Sequence, residues 1–187
     1  MESFPTTILK EDHGELLHTG YRGMSYTKGM QLLVLLALLG WALAIQPGET
    51  LPGFQLLDPK GNLLTPETIP KPAVIVFWAS WCPVCKAEFP SLHKVAERAK
   101  VPFYVISREP KDTKEVVLNY MKAYPKFIPL LASKVDTPAG VAERFKILGQ
   151  PWTIVVDKEG KVVALFAGRA GQEALLDALL LAGAEVE

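Results

Sequence analysis

The sequence is poor in the residues on which several classes of protein depend. It has 2 cysteines in 187 residues, whereas a scaffold held together by disulfides needs about four to eight. It has 3 histidines and no second CxxC, so a zinc site with four ligands is not predicted. The 20 basic and 20 acidic side chains cancel. Without a net charge or a run of like charges, we expect no nucleic-acid partner.

Apolar residues are abundant, at 49% of the chain, which is enough for one folded domain with an appendage. The appendage is the uncharged stretch LLVLLALLGWALAI, Leu32–Ile45. A membrane-spanning helix needs about 20 apolar residues, whereas the apolar part of a signal peptide has about 7 to 15. We favour cleavage near Ala44, with a retained membrane anchor as the main alternative. A buried helix of the domain is the weakest interpretation, because the segment is not amphipathic.

Either favoured interpretation places the domain outside the cytoplasm, in the periplasm or at the outer face of the cell membrane, with membrane contact through residues 30–45. Residues 1–23 form an unassigned extension. If translation starts at Met24 or Met30, this extension is an artefact of start-site choice. Residues 24–45 are the signal peptide or short anchor, and residues 46–187 the domain.

Within the domain, apolar runs predict strands that alternate with helices. FQLLD and NLLTP flank a turn as a small hairpin, and AVIVFWA (Ala73–Ala79) is typical of a strand buried on both faces. A helix is predicted over Cys82–Lys100, and another from Asp112, as its cap, to about Tyr124. The remaining elements are strands at VPFYVIS, FIPLLAS, WTIVVD and VVALFAG, and helices at TPAGVAERF and GQEALLDALLLAG. This order indicates a central sheet covered by helices on both faces.

Both cysteines lie in the stretch FWASWCPVCKAEFP, Phe77–Pro90. Cys82 falls where a strand ends and a helix begins, and free amides there should lower the pKa of its thiol. Pro83 suits the first helical position, and Cys85 lies one turn further on, close enough for a disulfide. We expect Cys82 to attack and Cys85 to resolve. A structural disulfide, a metal site and a cysteine protease using His93 are weaker interpretations.

Helical spacing places Glu88 on the apolar stripe that begins at Cys85. Burial should raise the pKa of its carboxyl and fit it to move protons to and from the neighbouring thiol. The alternative is that Glu88 turns to the edge of the helix and pairs with Lys86 or a nearby lysine. Pro90 should kink this helix without ending it.

Together, the strand leading into WCxxC, the proline five residues beyond the second cysteine and the downstream segment ILGQPWTIVVDKEGKVV resemble the thioredoxin superfamily. FWASWCPVCKAEFP looks like its extracytoplasmic TlpA and ResA branch. The resemblance covers residues 53–182 and implies an α/β thioredoxin-like fold with a central mixed sheet. It also implies an N-terminal hairpin and a central helix–strand insertion at about Asp112–Ser133.

The resemblance also implies roles for individual residues. The bond between Gln150 and Pro151 should be cis and pack against the disulfide, and a functional acid should stand at Glu88. The aspartate that thioredoxin buries is replaced by Val76, and the usual threonine after the cis proline by Trp152. The expected substrate-binding residues are Trp81, Gln150, Pro151 and Trp152, and those expected to be structural near the site are Trp78, Pro83 and Pro90. Trp78, Trp81 and Trp152 could form an apolar docking surface, although Trp78 on a strand suits the core better.

The function implied is thiol-disulfide exchange outside the cytoplasm, with reduction favoured. Partners would be proteins such as cytochrome c precursors or those with copper-site cysteines, and a membrane or soluble electron donor would re-reduce the pair. No cofactor is expected beyond a redox-active disulfide between Cys82 and Cys85, and no metal. The alternatives are an oxidant or isomerase, and a non-catalytic binding module of the same fold.

Overall fold

A computed structural model describes residues 45–187 of the chain. The predicted extension lies outside these residues, as does the predicted signal peptide or anchor except for its last residue, Ile45. Among the described residues, every helix is too short or too polar to cross a membrane.

The domain contains a two-stranded hairpin and a five-stranded mixed sheet. The strands are β1 (Leu56–Leu57), β2 (Leu63–Leu64), β3 (Ala73–Trp78), β4 (Phe103–Ser107), β5 (Phe127–Leu130), β6 (Trp152–Val156) and β7 (Val162–Ala167). The helices are α1 (Pro83–Arg98), α2 (Lys114–Met121), α3 (Pro138–Arg144) and α4 (Gln172–Leu181). The sheet order is β5-β4-β3-β6-β7. β3 runs parallel to β4 and antiparallel to β6.

The central strand β3 is buried along its whole length, as its β-branched and aromatic run predicts. Alternate side chains enter two different cores. Val74, Val76 and Trp78 join the cluster that contains both cysteines, which we call the disulfide face. Ile75 and Phe77 join the other cluster, which we call the apolar face. Helices cover the sheet on both sides, so the predicted α/β arrangement is confirmed.

The two faces are built from different elements. The disulfide face packs side chains of α1, α2 and α4 against the sheet, including Phe89, Met121 and Leu175. The apolar face packs α3 and the N-terminal segment, including Val141 and Phe54. The helix α1, which carries Cys85, therefore shares its core with the central insertion α2, which follows β4 in the chain.

The segment 48–57, which we call the strap, crosses the apolar face from one edge of the sheet to the other. At the β7 edge, the Gly48 amide donates to the Val162 carbonyl at 2.8 Å. At the β5 edge, the Leu57 amide donates to the Leu131 carbonyl at 2.9 Å, and Leu131 donates back at 2.8 Å. Phe54, between these points, is buried. The strap thus belongs to the core.

The predicted start of the second helix was wrong. The cap of α2 is Thr113, whose hydroxyl oxygen accepts from the Val116 amide at 3.4 Å, and not Asp112. The helix ends at Met121 and not near Tyr124. With α2 capped by its neighbour, the carboxylate of Asp112 is available for contacts elsewhere. The peptide bond between Lys71 and Pro72 is cis, which the sequence did not predict.

Candidate active site

Cys82 occupies the junction between β3 and α1. β3 ends at Trp78, and the chain turns through Ser80 and Trp81 before the Cys82 amide donates to the Ala79 carbonyl at 3.1 Å. Cys82 is the residue that caps α1, and Pro83 takes the first helical position. The predicted placement of the first cysteine at a helix start is confirmed.

The two cysteines are joined as a disulfide, with 5.3 Å between their Cα atoms. Cys85 is fully buried, and Cys82 exposes only 3% of its surface. The Cys85 amide donates to the Cys82 sulfur at 3.1 Å. In the reduced protein, the same amide and the helix dipole favour a thiolate at Cys82. The geometry therefore suits Cys82 as the attacking sulfur and Cys85 as the sheltered one.

Glu88 lies in the core of the disulfide face, with only 1% of its surface exposed. One carboxylate oxygen accepts a hydrogen bond from the Ala170 amide, in the loop between β7 and α4. The other has no hydrogen-bond partner among the described residues. Burial raises the pKa of the Glu88 carboxyl, although the Ala170 amide and the charge of Arg169 oppose the rise. The alternative of an edge position paired with Lys86 or a nearby lysine is wrong, because Glu88 is buried and none of the ion pairs among residues 45–187 includes it. Lys86 is exposed and lies over the Tyr120 ring at 5.8 Å.

The helix that carries these groups follows the predicted stripe. Its buried residues are Cys85, Glu88, Phe89, Leu92, Val95 and Ala96. Pro90 lies inside α1 and the helix continues beyond it to Arg98, as predicted. The stripe keeps Glu88 on the same buried face as Cys85, one turn away.

The structure does not bring the three tryptophans together. Trp78 is buried, with its ring 5.3 Å from Phe89 and 5.0 Å from Tyr120. Trp81 is 59% exposed, and its indole donates to Glu109 at 2.7 Å. Trp152 packs against the apolar face, because its position on β6 alternates with that of Val155, which faces the disulfide side. The idea of one aromatic docking surface is therefore wrong.

The peptide bond between Gln150 and Pro151 is cis, as the resemblance implied. It directly precedes β6, whose first residue, Trp152, pairs with Phe77 near the end of β3. The loop before it presents Leu148, which is 86% exposed. The Arg108 guanidinium donates to the Gln150 side-chain oxygen at 2.7 Å. The cis-proline turn thus lies at the end of the sheet that carries the disulfide.

The loop that follows β4, residues 108–112, was missed by the sequence analysis. The Asp112 carboxylate accepts from the Ser80 amide at 2.9 Å, from the Ser80 hydroxyl, and from the Ser107 hydroxyl. Glu109 accepts from the Trp81 indole. Two carboxylates of this loop therefore hold the two residues that precede Cys82. A sequence signal existed, because the carboxyl ends of adjacent parallel strands share one edge of a sheet, and β4 ends directly before this loop.

No group of three or more potential metal ligands occurs among residues 45–187. The prediction that the protein needs no metal or other cofactor stays a prediction. What the described residues assemble is a reducible disulfide at a helix start, a buried carboxyl one turn away and a cis-proline turn at the same end of the sheet.

Comparison with known proteins identifies the family. The sequence profile of the AhpC/TSA family matches residues 47–165. The chain belongs to the AhpC/TSA family. This match includes the CxxC segment, Glu88, the loop after β4 and the cis-proline turn, whereas Ala170, which donates to Glu88, lies beyond it.

Relatives of known type support the same assignment. The chain is 27% identical over 157 residues to the thiol-disulfide oxidoreductase ResA of Bacillus subtilis (strain 168), covering 78% of this chain and 86% of ResA. It is 29% identical over 143 residues to a DsbE homolog of Paracoccus denitrificans (strain Pd 1222), a thiol:disulfide interchange protein, covering 70% and 76%. The predicted resemblance to the ResA branch is confirmed.

A solved structure is more similar still. The crystal structure of a thio-disulfide isomerase from Thermus thermophilus is 76% identical, with a TM-score of 0.73, and the match covers 76% of this chain and 100% of that one. The thioredoxin-like fold is therefore confirmed. This member of the AhpC/TSA family is a thioredoxin-like thiol-disulfide oxidoreductase.

Proposed function

We propose that this oxidoreductase reduces disulfides in partner proteins outside the cytoplasm, through a mixed disulfide at Cys82. The charge-free stretch before residue 46 supports the location, because it has the length of a signal peptide or short anchor. Partners such as cytochrome c precursors or proteins with copper-site cysteines are the substrate classes that the resemblance to the TlpA and ResA branch implies. A membrane or soluble dithiol donor returns the pair to its reduced form.

The cycle begins with the reduced pair. The Cys82 thiolate attacks one sulfur of the partner disulfide, so a bond forms between Cys82 and that sulfur while the partner S–S bond breaks. The released partner thiolate takes up a proton. The Cys85 thiol then loses its proton and attacks the Cys82 sulfur, which forms the Cys82–Cys85 disulfide and releases the second partner thiolate, which is protonated in turn. Two electrons pass from the pair to the partner, and the donor dithiol supplies them again.

The observation that carries the proposal is the pairing of a capped sulfur with a buried acid. The Cys85 amide contacts the Cys82 sulfur at 3.1 Å, while Cys85 itself lies beneath the surface, one turn from Glu88. Cys85 has to lose a proton inside a core, and the buried side chains of residues 45–187 include no histidine. Glu88, whose carboxyl has a raised pKa, can accept that proton and return it during re-reduction. The arrangement thus supports a resolving step that needs no solvent base.

A trapping experiment tests the cycle. Cys85→Ser should accumulate a mixed disulfide at Cys82 with its partner, which mass spectrometry can identify, and Cys82→Ser should accumulate none. The reduced wild-type protein should precipitate insulin by reducing its disulfides, and both variants should lose catalytic turnover. A Cys82→Ser variant that still turns over would sink the proposed cycle.

The direction of exchange is a separate measurement. A reductant should have a potential nearer that of thioredoxin, about −270 mV, than that of DsbA, about −120 mV. An isomerase is the second candidate, because the Thermus thermophilus structure is described as one. It would refold scrambled ribonuclease without net consumption of donor thiols, whereas a reductant would consume them in proportion to the disulfides opened.

A further inference from the structure

Three segments meet at the disulfide end of the sheet, and one of them supplies a cation. The Arg108 amide donates to the Trp78 carbonyl at 2.9 Å, directly after β4. Its guanidinium reaches the cis-proline turn, with 2.7 Å between Nη1 and the Gln150 side-chain oxygen. Arg108 therefore lies between the strand that leads to Cys82 and the residue that precedes Pro151.

The charge of Arg108 is not balanced by a carboxylate within the described residues. No carboxylate among residues 45–187 lies within ion-pair distance of it. The two acids of its own loop are engaged elsewhere: Asp112 with Ser80 and Ser107, and Glu109 with Trp81 and the Lys111 amide. The amide oxygen of Gln150 is neutral. A guanidinium has five N–H donors. Because Gln150 is neutral, the half-buried guanidinium of Arg108 can still bind a negatively charged acceptor.

Three apolar residues on the segments that meet here are open to solvent. Leu148 is 86% exposed, Trp81 59% and Val84 47%. Leu148 belongs to the loop before the cis-proline turn, Trp81 directly precedes Cys82, and Val84 lies between the two cysteines. Isolated exposed apolar residues need no explanation, but these three lie on the segments that also carry the cysteines and the partner of Arg108. We call these four residues, Trp81, Val84, Arg108 and Leu148, the disulfide rim.

We propose that Arg108 is a specificity-determining residue that binds a carboxylate of the partner chain, close in sequence to the partner's reacting cysteine. The favoured substrate is an extended segment with an aspartate or glutamate near its disulfide and an apolar neighbour to contact Trp81 and Leu148. This inference rests on the proposed function, since it names the partner chemistry of the same site.

Matched peptides test the inference. Each carries one internal disulfide, and the series places Asp, Asn or Lys at every position within three residues of the attacked cysteine. The reduced wild-type protein should reduce the best Asp peptide about fivefold faster, as kcat/KM, than the matching Asn peptide, which is the effect of one partly exposed ion pair. The preference should shrink in high salt.

Variants of Arg108 locate the effect. Arg108→Lys keeps the charge and should keep the preference. Arg108→Gln keeps a donor for Gln150 but should lose the preference for the Asp peptide. Arg108→Glu should reverse that preference in favour of the Lys peptide. The matched control is Lys111→Glu, an exposed residue of the same loop with the same change of charge, which should leave the preference intact. Thermal unfolding of each oxidised variant shows whether the domain remains folded.

Two results would overturn the inference while leaving the proposed function standing. One is equal rates on the Asp, Asn and Lys peptides at every position. The other is an effect of Lys111→Glu as large as that of Arg108→Glu, which would indicate a diffuse field and not a contact. A wild-type protein that reduces none of the peptides, nor insulin, would overturn the proposed function and this inference with it.

Discussion

Two buried carboxylates, one on each side of the sheet, differ in their hydrogen-bond partners and in the direction in which their pKa is shifted. Asp136 is 8% exposed, and its carboxylate binds the Arg144 guanidinium at 2.7 and 3.1 Å and the Gln55 amide at 2.8 Å. The hydrogen bonds from Arg144 lead the causes that lower the pKa of Asp136. Glu88 is 1% exposed and receives one amide, from Ala170. Burial raises the pKa of its carboxyl.

The difference separates a structural acid from a reactive one. A carboxylate held by a guanidinium and an amide stays ionised and fastens the segments it binds, here the strap and α3. A carboxyl with one oxygen unpartnered is easily protonated and can exchange its proton with a neighbour. All three buried side-chain atoms without a hydrogen-bond partner among the described residues belong to Trp78, Glu88 and Thr153. All three residues lie on the disulfide face. Among the described residues, buried polar side-chain atoms without a partner are therefore confined to that side of the sheet.

Activity should separate the two acids most strongly. Glu88→Gln removes the proton acceptor and should slow disulfide reduction at pH 7 about a hundredfold, a typical contribution of general acid–base catalysis. Asp136→Asn should leave the rate unchanged. The measurement is single-turnover oxidation of the reduced pair by a model disulfide. Glu97→Gln, on an exposed position of the same helix, is the control, and an equal loss there would contradict the role of Glu88.

For the free energy of unfolding, we expect the larger effect at Asp136 and the smaller one at Glu88. Asp136→Asn weakens the hydrogen bonds to Arg144 and Gln55, and the free energy of unfolding at neutral pH should fall by about 1 to 3 kcal/mol. Urea denaturation of the oxidised protein measures it. Asp177→Asn, an exposed residue of α4, should change it little. If Glu88→Gln destabilised the protein as much as Asp136→Asn does, the comparison would fail.

The pH dependence of stability should have opposite signs. The stability that Asp136 contributes is present above its unfolded pKa, about 3.9, and is lost as the pH falls through its lowered folded pKa. For Glu88, the stability is fully present below its unfolded pKa, about 4.3, and is lost as the pH rises through its raised folded pKa. Glu88→Gln should therefore flatten the decline above about pH 4.3, and Asp136→Asn the decline at lower pH. Denaturation curves across this range would show both, and a steeper decline in Glu88→Gln would contradict the assignment.

A third carboxylate, that of Asp112, should affect the rate of disulfide reduction less than Glu88 does. Asp112 accepts from the amide and hydroxyl of Ser80 and from the hydroxyl of Ser107, so it should position Cys82 and not exchange protons with it. Asp112→Asn should slow reduction by about threefold to tenfold, the effect of one weakened hydrogen bond, without changing the shape of the pH–rate profile. A profile shifted as in Glu88→Gln would instead make Asp112 part of the proton path.

Local patterns in the sequence predicted most of the fold and half of the site. The buried strand Ala73–Trp78, the helix start at Cys82 and the stripe that buries Glu88 each depend on residues close together in the chain. The cis bond at Pro151 followed from family resemblance. These features need no knowledge of which distant segments meet.

The features that sequence reasoning missed are contacts between distant residues. Ser80 and Asp112 are 32 residues apart, and Glu88 meets Ala170 across 82 residues. Arg108 looked like an ordinary loop residue, because its neighbour Gln150 lies 42 residues away. Trp152 was expected beside the site because it follows Pro151, but it shares a face of β6 with Ile154, and that face belongs to the apolar core.

The strap also determines how the domain meets other chains. A sheet edge with free amide and carbonyl groups can pair with a second protein, which leads to aggregation. One continuous piece of chain occupies part of both edges here, at Val162 and at Leu131. Proteolytic cleavage after Leu51 would separate the β7 contact from the β5 contact. The same bonds that complete the core of the domain thus also occupy backbone groups with which a second chain could pair.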